Sequence, residues 1–183
     1  MSGYVVLVID MLYDFIYGRL KCQPCAEIVD KVGKVIQVAR SIGIPVVYVN
    51  DSHFPTDPEI RLWGEHSMKG DEASKVIDEL KPLPHDYVLE KRTYSAFFET
   101  GLDLLLRGLE AKTVVITGIH THICVKHTAA DAFFRGYKVI VVGDATATFN
   151  TTDHERALDY MKTMYGAEIT TAEELTHLWT ARR

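Results

Sequence analysis

Residues 117–133 read TGIHTHICVKHTAADAF, and this stretch indicates how the chain is folded. An apolar run, TVVIT at residues 113–117, leads into it, and an alanine-rich segment at residues 125–136 leads out. The first pattern is typical of a buried strand and the second of a helix, which places Cys124 in the first turn of the helix. We expect the helix dipole and free backbone N–H groups there to lower the pKa of the Cys124 thiol and make it a nucleophile. A buried core cysteine is the alternative interpretation.

The same alternation of apolar runs and helical patterns continues on both sides of this stretch. Further strands are predicted at residues 4–9, 46–49, 86–89, 138–142 and 167–170. Helices are predicted from residue 25 or 26 to 41, at 71–80, 100–109 and 152–165, and from a capping box at 171–174. Because the strands are apolar along their length, we predict a mostly parallel six-stranded sheet with helices on both faces, a three-layer α/β sandwich. No repeat or linker interrupts the pattern, which predicts a single domain over residues 1–183.

Composition and charge restrict the class of protein. The 183 residues are 47% hydrophobic and 25% charged, as in ordinary globular proteins, and the net charge of −5 argues against nucleic acid as a partner. The first apolar run has no basic region before it and is too short to cross a bilayer, so we expect a cytoplasmic protein without a membrane partner. Three cysteines, an odd number, argue against a secreted disulfide framework.

Reactive side chains follow several of the predicted strands. Asp10, Asp51, Lys91 and Cys124 all come at or just after the carboxyl end of a strand, where open α/β sheets bind ligands. A carboxylate can take the proton of a thiol and later give it to a leaving amine, and an ammonium group beside them favours both charged forms. Together these residues indicate an enzyme. Asp144 also follows a strand, but a turn-forming or supporting role is the better interpretation.

The motifs VIDMLYDF at residues 8–15, Lys91 with TYSAFFET at 93–100, and the Cys124 stretch resemble the isochorismatase-like cysteine hydrolases, which include nicotinamidases. The resemblance implies an Asp10–Lys91–Cys124 catalytic triad. It also implies a cis peptide bond between Ile119 and His120, and an oxyanion hole formed by the backbone N–H groups of His120 and Cys124.

The resemblance further implies the reaction. True isochorismatases cleave a vinyl ether and need no cysteine nucleophile, so Cys124 argues for hydrolysis of a small amide to a carboxylic acid and ammonia through a thioester. The nearest expectation is a nicotinamidase-like enzyme, and another small amide or a ureido compound is the alternative. His120 and His122 stand where the family often carries small residues and asparagine, which changes the shape and charge expected of the pocket.

A second set of residues surrounds a long loop at residues 52–70. Asp51, His53 and His66 are suitable ligands for zinc, with iron or manganese as alternatives, and the resemblance implies such a site. It also implies that Phe15 and Trp63 flank the substrate, and we add Tyr94 to the predicted pocket. The alternative is that both histidines are ordinary loop residues. We expect no organic cofactor, a small-molecule substrate and a homo-oligomer.

Two other patterns compete with these interpretations. Cys22 and Cys25 form a C-x-x-C before a helix, which allows a thiol redox protein, half of a zinc site or a structural disulfide. The pattern lacks thioredoxin-like surroundings and a second C-x-x-C, so we favour the disulfide. His120, His122 and His127 lie near Cys124 and also form a possible metal cluster, although His127 and His122 are not expected on one helix face.

Overall fold

The computed structural model describes residues 2–181, so Met1, Arg182 and Arg183 lie outside the described residues. The strands are β1 (Tyr4–Ile9), β2 (Val46–Asp51), β3 (Tyr87–Lys91), β4 (Thr113–Ile119), β5 (Lys138–Ala147) and β6 (Glu168–Thr170). The helices are α1 (Tyr13–Ile16), α2 (Gln23–Ala26), α3 (Val29–Ser41), α4 (Ile60–Trp63), α5 (Leu102–Gly108), α6 (Lys126–Phe134), α7 (Thr151–Tyr165) and α8 (Ala172–Ala181). The single domain predicted over 1–183 includes the three residues outside this range and stays a prediction.

The strands form one six-stranded sheet in the order β3-β2-β1-β4-β5-β6, and all neighbouring pairs are parallel. β1 lies inside the sheet, with Val6 opposite Val46 of β2 on one side and Val115 of β4 on the other. The order of the strands along the chain therefore reverses between β1 and β4. In sheets of this kind, the crevice beyond the carboxyl ends at such a reversal is the usual ligand site.

Two apolar clusters, one on each side of the sheet, complete the three layers. One face packs against residues of α1, α2, α3 and α8, such as Ile16, Val35 and Trp179. The other face packs against α5, α6 and α7, through residues such as Leu106 and Met161. The structure confirms the predicted three-layer α/β sandwich, and burial of both faces explains the continuously apolar strands.

Several local predictions are wrong, each for a physical reason. Residues 71–80 form two short 3-10 turns, Glu72–Ser74 and Asp78–Leu80, rather than a helix. The chain between them pairs with the region before α1, because Ile77 N–H donates to Met11 O and Val76 bridges Leu12. The helix predicted to start at 25 or 26 is divided into α2 and α3. The prediction that every strand is covered on both faces is also wrong for β3. This strand lies at the edge of the sheet, and its Val88 is 52% exposed.

The most consequential difference is at β5, which continues to Ala147 instead of ending at residue 142. A register shift between Ile116 and Gly118 of β4 lets the second half of β5 pair again, with Gly118 opposite Thr146. Asp144 therefore lies within a strand.

Among the described residues, no helix is long and apolar enough to cross a membrane.

Candidate active site

Three predicted residues, Asp10, Lys91 and Cys124, meet beyond the carboxyl ends of β1, β3 and β4. Asp10 follows β1 directly, Lys91 is the last residue of β3, and Cys124 lies in a π-type turn, Thr121–Val125, between β4 and α6. All three are buried, with exposed fractions of 1%, 1% and 5%. The sheet therefore brings together side chains that are more than thirty residues apart in the sequence.

Lys91 is the centre of this cluster. Its Nζ lies 2.8 Å from Asp10 Oδ2, 2.5 Å from Asp51 Oδ1 and 3.6 Å from Cys124 Sγ. A buried ammonium that contacts two carboxylates stays charged, and the charges of Asp10 and Asp51 raise the pKa of Lys91 against the opposing effect of burial. Lys91 thus acts as a fixed positive charge, and it is not available as a base.

The two oxygens of Asp10 have different partners. Oδ1 accepts a hydrogen bond from the backbone N–H of Asp51 at 2.8 Å, which orients the carboxylate. Oδ2 forms the ion pair with Lys91 but accepts no well-aligned hydrogen bond from the described residues. A carboxylate oxygen of Asp10 also lies within 4.8 Å of Cys124 Sγ. Burial and the charge of Asp51 raise the pKa of Asp10 to about 7, which suits a base that accepts and returns a proton near neutral pH.

Cys124 differs from the sequence-based expectation in one respect. Burial raises the pKa of its thiol well above the usual value, and the nearby Lys91 only partly opposes this effect. The expected low pKa at a helix start is therefore not found, because the sulfur is enclosed and lies beside two carboxylates as well as the ammonium. The resting group is a thiol, and it needs a base to become a nucleophile. Asp10 has a carboxylate oxygen within 4.8 Å of the sulfur.

The turn before Cys124 contains a cis peptide bond between Ile119 and His120, the geometry that the resemblance implies. His120 follows β4, and its backbone carbonyl accepts hydrogen bonds from Ile123 and Val125. The π-type turn between His120 and α6 carries Cys124. The backbone N–H groups of residues 120–124 are therefore the donors nearest in sequence to the Cys124 sulfur.

A narrow cavity of about 20 Å³ lies over Cys124. The predicted pocket residues Phe15, Trp63 and Tyr94 all line it, and Trp63 Nε1 donates a hydrogen bond to Tyr94 Oη at 3.2 Å. Phe149 closes another side, where its ring stacks on His120 with centroids 4.3 Å apart. The cavity as observed has room for about one water molecule. A substrate must therefore displace side chains of this aromatic wall.

The predicted metal ligands converge beside the cavity. Asp51, His53, His66 and a fourth residue, Glu59, are all buried, and each has one ligand atom within 4.8 Å of the others. Glu59 Oε1 and His53 Nε2 are buried without a hydrogen-bond partner among residues 2–181. Burial and the charge of Asp51 raise the pKa of Glu59, as expected when two carboxylates share a site. Unpaired buried ligand atoms with this composition fit a divalent cation such as zinc.

Neighbouring groups hold both histidines in a suitable orientation. His53 Nδ1 lies 3.2 Å from Asp57 Oδ2, and His66 Nδ1 lies 2.8 Å from the carbonyl oxygen of Gly64. Because both partners are acceptors, each Nδ1 carries a proton, and in the neutral imidazole each Nε2 keeps its lone pair. The backbone also joins the two segments, since His53 N–H donates to Ser67 O at 2.9 Å. Two histidines distant in sequence are thus presented together.

Other predicted residues lie outside these two clusters. Asp144 forms an ion pair with Lys31 and accepts a hydrogen bond from the first residue of α8, Ala172, so it has a structural role. His122 contacts Thr148, and His127 contacts the carbonyl of Ile123, so the alternative metal cluster with His120 is not formed. Cys22 and Cys25 are joined by a disulfide, and their Cα atoms are 5.1 Å apart.

Sequence reasoning missed two residues of the site. Glu59 precedes α4 within the long loop, and Phe149 follows the extension of β5 that the sequence did not predict. Glu59 had a usable signal, because it is an acidic residue in the loop between His53 and His66. Phe149 had no such signal, since the register shift in β4 that brings it to the cavity is not visible in the sequence.

Comparison with known proteins identifies the class. The family described as Isochorismatase domain matches residues 4–174, nearly the whole chain, and the chain therefore belongs to this family. The relationship confirms the resemblance noted in the sequence. The protein is an isochorismatase-family hydrolase.

Solved structures show which members are similar. The chain is 48% identical to N-carbamoylsarcosine amidase from Thermoplasma acidophilum, over 94% of this chain and 98% of that one, with a TM-score of 0.89. It is 33% identical to nicotinamidase PncA from Bacillus subtilis, over 92% and 99% of the two chains, with a TM-score of 0.88. A pyrazinamidase of Pyrococcus horikoshii, solved in complex with zinc, is 28% identical over 93% and 99% with a TM-score of 0.87.

Proposed function

We propose that the protein is a cysteine amidohydrolase that converts a small amide to a carboxylic acid and ammonia. The observation that carries this proposal is the position of Cys124 Sγ, 3.6 Å from Lys91 Nζ and within 4.8 Å of a carboxylate oxygen of Asp10. A thiol, a base and a fixed positive charge are the groups that acyl transfer from nitrogen requires.

The reaction begins with proton transfer from the Cys124 thiol to Asp10, and Lys91 stabilises the resulting thiolate. The thiolate attacks the amide carbonyl, and the backbone N–H groups of His120 and Cys124 stabilise the oxyanion. Asp10 returns its proton to the departing nitrogen, which leaves as ammonia. Water, deprotonated by Asp10, then hydrolyses the thioester and restores the thiol.

We further propose that Asp51, His53, Glu59 and His66 hold a divalent cation, with zinc as the first candidate. The cation would supply a Lewis acid that anchors a polar atom of the substrate or an ordered water. The unpaired Nε2 of His53 and Oε1 of Glu59 support this assignment, and so does the zinc complex of the P. horikoshii relative. Asp51 would contact both the cation and Lys91, and it would thus join the metal site to the nucleophile.

Two substrate classes are candidates. The metal-ligand set favours nicotinamide, whose ring nitrogen is a suitable ligand. The higher identity to N-carbamoylsarcosine amidase, 48% against 33% for the B. subtilis nicotinamidase, favours a ureido compound. We therefore place a ureido substrate first and nicotinamide second. With a ureido substrate the covalent intermediate is a thiocarbamate, and its hydrolysis gives a carbamic acid that loses carbon dioxide to leave an amine.

Ammonia release from N-carbamoylsarcosine, nicotinamide and a panel of other small amides tests this proposal. Purified protein should release ammonia from at least one of them, and Cys124→Ala should abolish the release. Cys124→Ser is the matched control for shape, because it keeps a hydroxyl in place of the thiol and should also be inactive or nearly so. Near-native turnover by Cys124→Ala would show that another group attacks the substrate.

A further inference from the structure

Outside the groups used in the mechanism, the most unusual contact near the cavity joins the disulfide to His120. Cys25 Sγ lies 3.6 Å from His120 Nδ1, and all three residues of the group, Cys22, Cys25 and His120, are buried. His120 also lines the cavity over Cys124 and stacks on Phe149. One histidine ring therefore contacts the disulfide on one side and belongs to the wall of the candidate active site on the other.

The second ring nitrogen of His120 lacks a partner. Its Nε2 is buried and makes no hydrogen bond within the part of the chain that the structure describes. An unsatisfied buried polar atom is destabilising, so such an atom in a cavity wall is a natural contact for a bound molecule. Burial and the neighbouring His122 lower the pKa of His120 to about 3, which keeps the ring neutral. A neutral imidazole has one donor nitrogen and one acceptor nitrogen.

The disulfide decides which nitrogen is the donor. A disulfide sulfur carries no hydrogen, so in the contact with Cys25 it can only accept, and Nδ1 carries the proton. Nε2 is then a hydrogen-bond acceptor. If the disulfide is reduced, the Cys25 thiol can donate to Nδ1, and the ring proton moves to Nε2, which becomes a donor. The contact at Nδ1 thus determines the hydrogen-bonding character of the atom on the other side of the ring.

We propose that His120 is a substrate-binding residue, and that the Cys22–Cys25 disulfide sets its Nε2 as an acceptor for an N–H group of the substrate. This inference rests on the proposed amidohydrolase function, since carboxamides and ureido compounds both carry such N–H groups. Reduction by a dithiol adds two electrons and two protons to the S–S bond, forms two thiols and converts the dithiol to its own disulfide. In the reduced protein, Nε2–H of His120 is a donor that faces the N–H group of the substrate. The reduced protein therefore binds the substrate less well.

The variant Cys22→Ala tests the coupling without any reductant, because it leaves Cys25 as a thiol with no partner for a disulfide. Nitrogen-15 NMR of the histidine rings reports the tautomer directly, and the His120 signals are assigned by their loss in His120→Phe. We expect the proton on Nδ1 in the wild-type protein and on Nε2 in Cys22→Ala. The same tautomer in both proteins would overturn the coupling.

Kinetics test the contact with substrate, using whichever amide of the panel is hydrolysed best. Cys22→Ala and His120→Phe should each raise KM about tenfold, the factor that corresponds to loss of one hydrogen bond of ordinary strength. In the His120→Phe background, adding Cys22→Ala should have no further effect, because both changes act on the same contact. His177→Phe is the control, since His177 is exposed on α8 and does not line the cavity. It should leave KM unchanged.

The two measurements separate this inference from the proposed function. If no amide is hydrolysed, the proposed function and the substrate contact are both wrong, and the NMR experiment still decides whether the disulfide sets the tautomer. If an amide is hydrolysed but Cys22→Ala raises KM equally with and without His120, the disulfide does not act through His120, and the proposed coupling is wrong. If His120→Phe leaves KM unchanged, the proposed substrate contact is wrong.

Discussion

At the scale of single residues, Asp10 connects the chemistry of the site to its electrostatics. A carboxylate with an ordinary pKa is a weak base for a thiol, whereas burial and the charge of Asp51 raise the pKa of Asp10 to about 7. The folded protein therefore binds a proton at Asp10 more tightly than the unfolded chain. The contribution of this group to stability is fully present below the unfolded pKa of 3.8 and is lost as the pH rises through about 7. The proposed role of Asp10 as a base would therefore come at a cost to stability at neutral pH.

The raised pKa of Asp10 predicts how reactivity at Cys124 depends on pH. The rate of Cys124 alkylation by iodoacetamide should rise with pH and level off above about 7, because only ionised Asp10 can accept the thiol proton. The measurement needs no substrate, and a chelator keeps cations away from Asp51. Asp10→Asn is the comparison, and its rate should rise through pH 9 without levelling. A wild-type profile with no change of slope near pH 7 would count against Asp10 as the base.

At the scale of elements, the close approach of β1 and β4 depends on Gly118. Its φ is +102°, and a Cβ at this position would lie 2.0 Å from the carbonyl oxygen of Ile9, the residue before Asp10. No neighbour could move by enough, because the opposing atom belongs to the backbone of the adjacent strand. This contact, with the register shift of β4, sets the position of the turn that carries Cys124.

Gly118→Ala should therefore be strongly destabilising, and Gly43→Ala is its matched control. Gly43 also has a positive φ, +72°, but a Cβ there would meet no atom within 4 Å. Strain alone should cost Gly43→Ala about 1 kcal/mol of unfolding free energy, and Gly118→Ala should lose several times more because of the added clash. Urea denaturation of the three proteins measures both values. Equal losses would mean that the two strands separate easily and that the close approach has little importance.

A second element-scale feature is the support of His53 by Asp57. Besides accepting from His53, Asp57 accepts a hydrogen bond from the backbone N–H of Phe54 and forms an ion pair with Arg92. The Arg92 guanidinium holds the pKa of the Asp57 carboxyl down, at about 2, so Asp57 is an anion at any ordinary pH. A permanently charged acceptor fixes the His53 tautomer that leaves Nε2 free for a cation.

We expect Asp57→Asn to weaken zinc binding about 10–100-fold, the usual effect of removing such a partner from a ligating histidine. The side-chain amide can also donate to Nδ1, which would favour the wrong tautomer of His53. Competition with a chromogenic chelator measures the affinity without any assay of activity. Asp103→Asn is the control, because Asp103 forms an exposed ion pair with Arg107 away from the ligand set. Unchanged affinity in Asp57→Asn would remove the supporting role.

At the scale of the whole molecule, the architecture could be predicted from the sequence because the buried strands are continuous apolar runs. It was also sufficient to bring Asp10, Lys91 and Cys124 together, since the ends of parallel strands meet at one edge. It was insufficient where long-range pairing overrides local pattern, as at residues 75–77, whose backbone pairs with the region before α1. The direction of the pKa shift of Cys124 also differs from the expectation, because the helix position is visible in the sequence but the enclosure of the sulfur is not.

The last prediction concerns how the proposed cation affects the stability of the whole chain. Asp51 ends β2, whereas Glu59 and His66 belong to the long loop, so a cation would join the loop to the sheet. Without it, the carboxylates of Asp51 and Glu59 share a buried site and oppose each other. The protein should therefore bind close to one zinc ion per chain, measurable by elemental analysis.

Removal of that ion should lower the melting temperature. Zinc at a hundredfold excess over its dissociation constant stabilises the folded state by about 2.7 kcal/mol, which corresponds to roughly 5–10 °C for a chain of this size. Calorimetry with zinc and with a chelator measures the shift. The same comparison on His66→Ala is the control, because loss of a ligand should abolish most of the shift. A protein whose melting temperature is the same with zinc and with chelator does not use these four residues as a metal site, and the amidohydrolase proposal would then rest on Asp10, Lys91 and Cys124 alone.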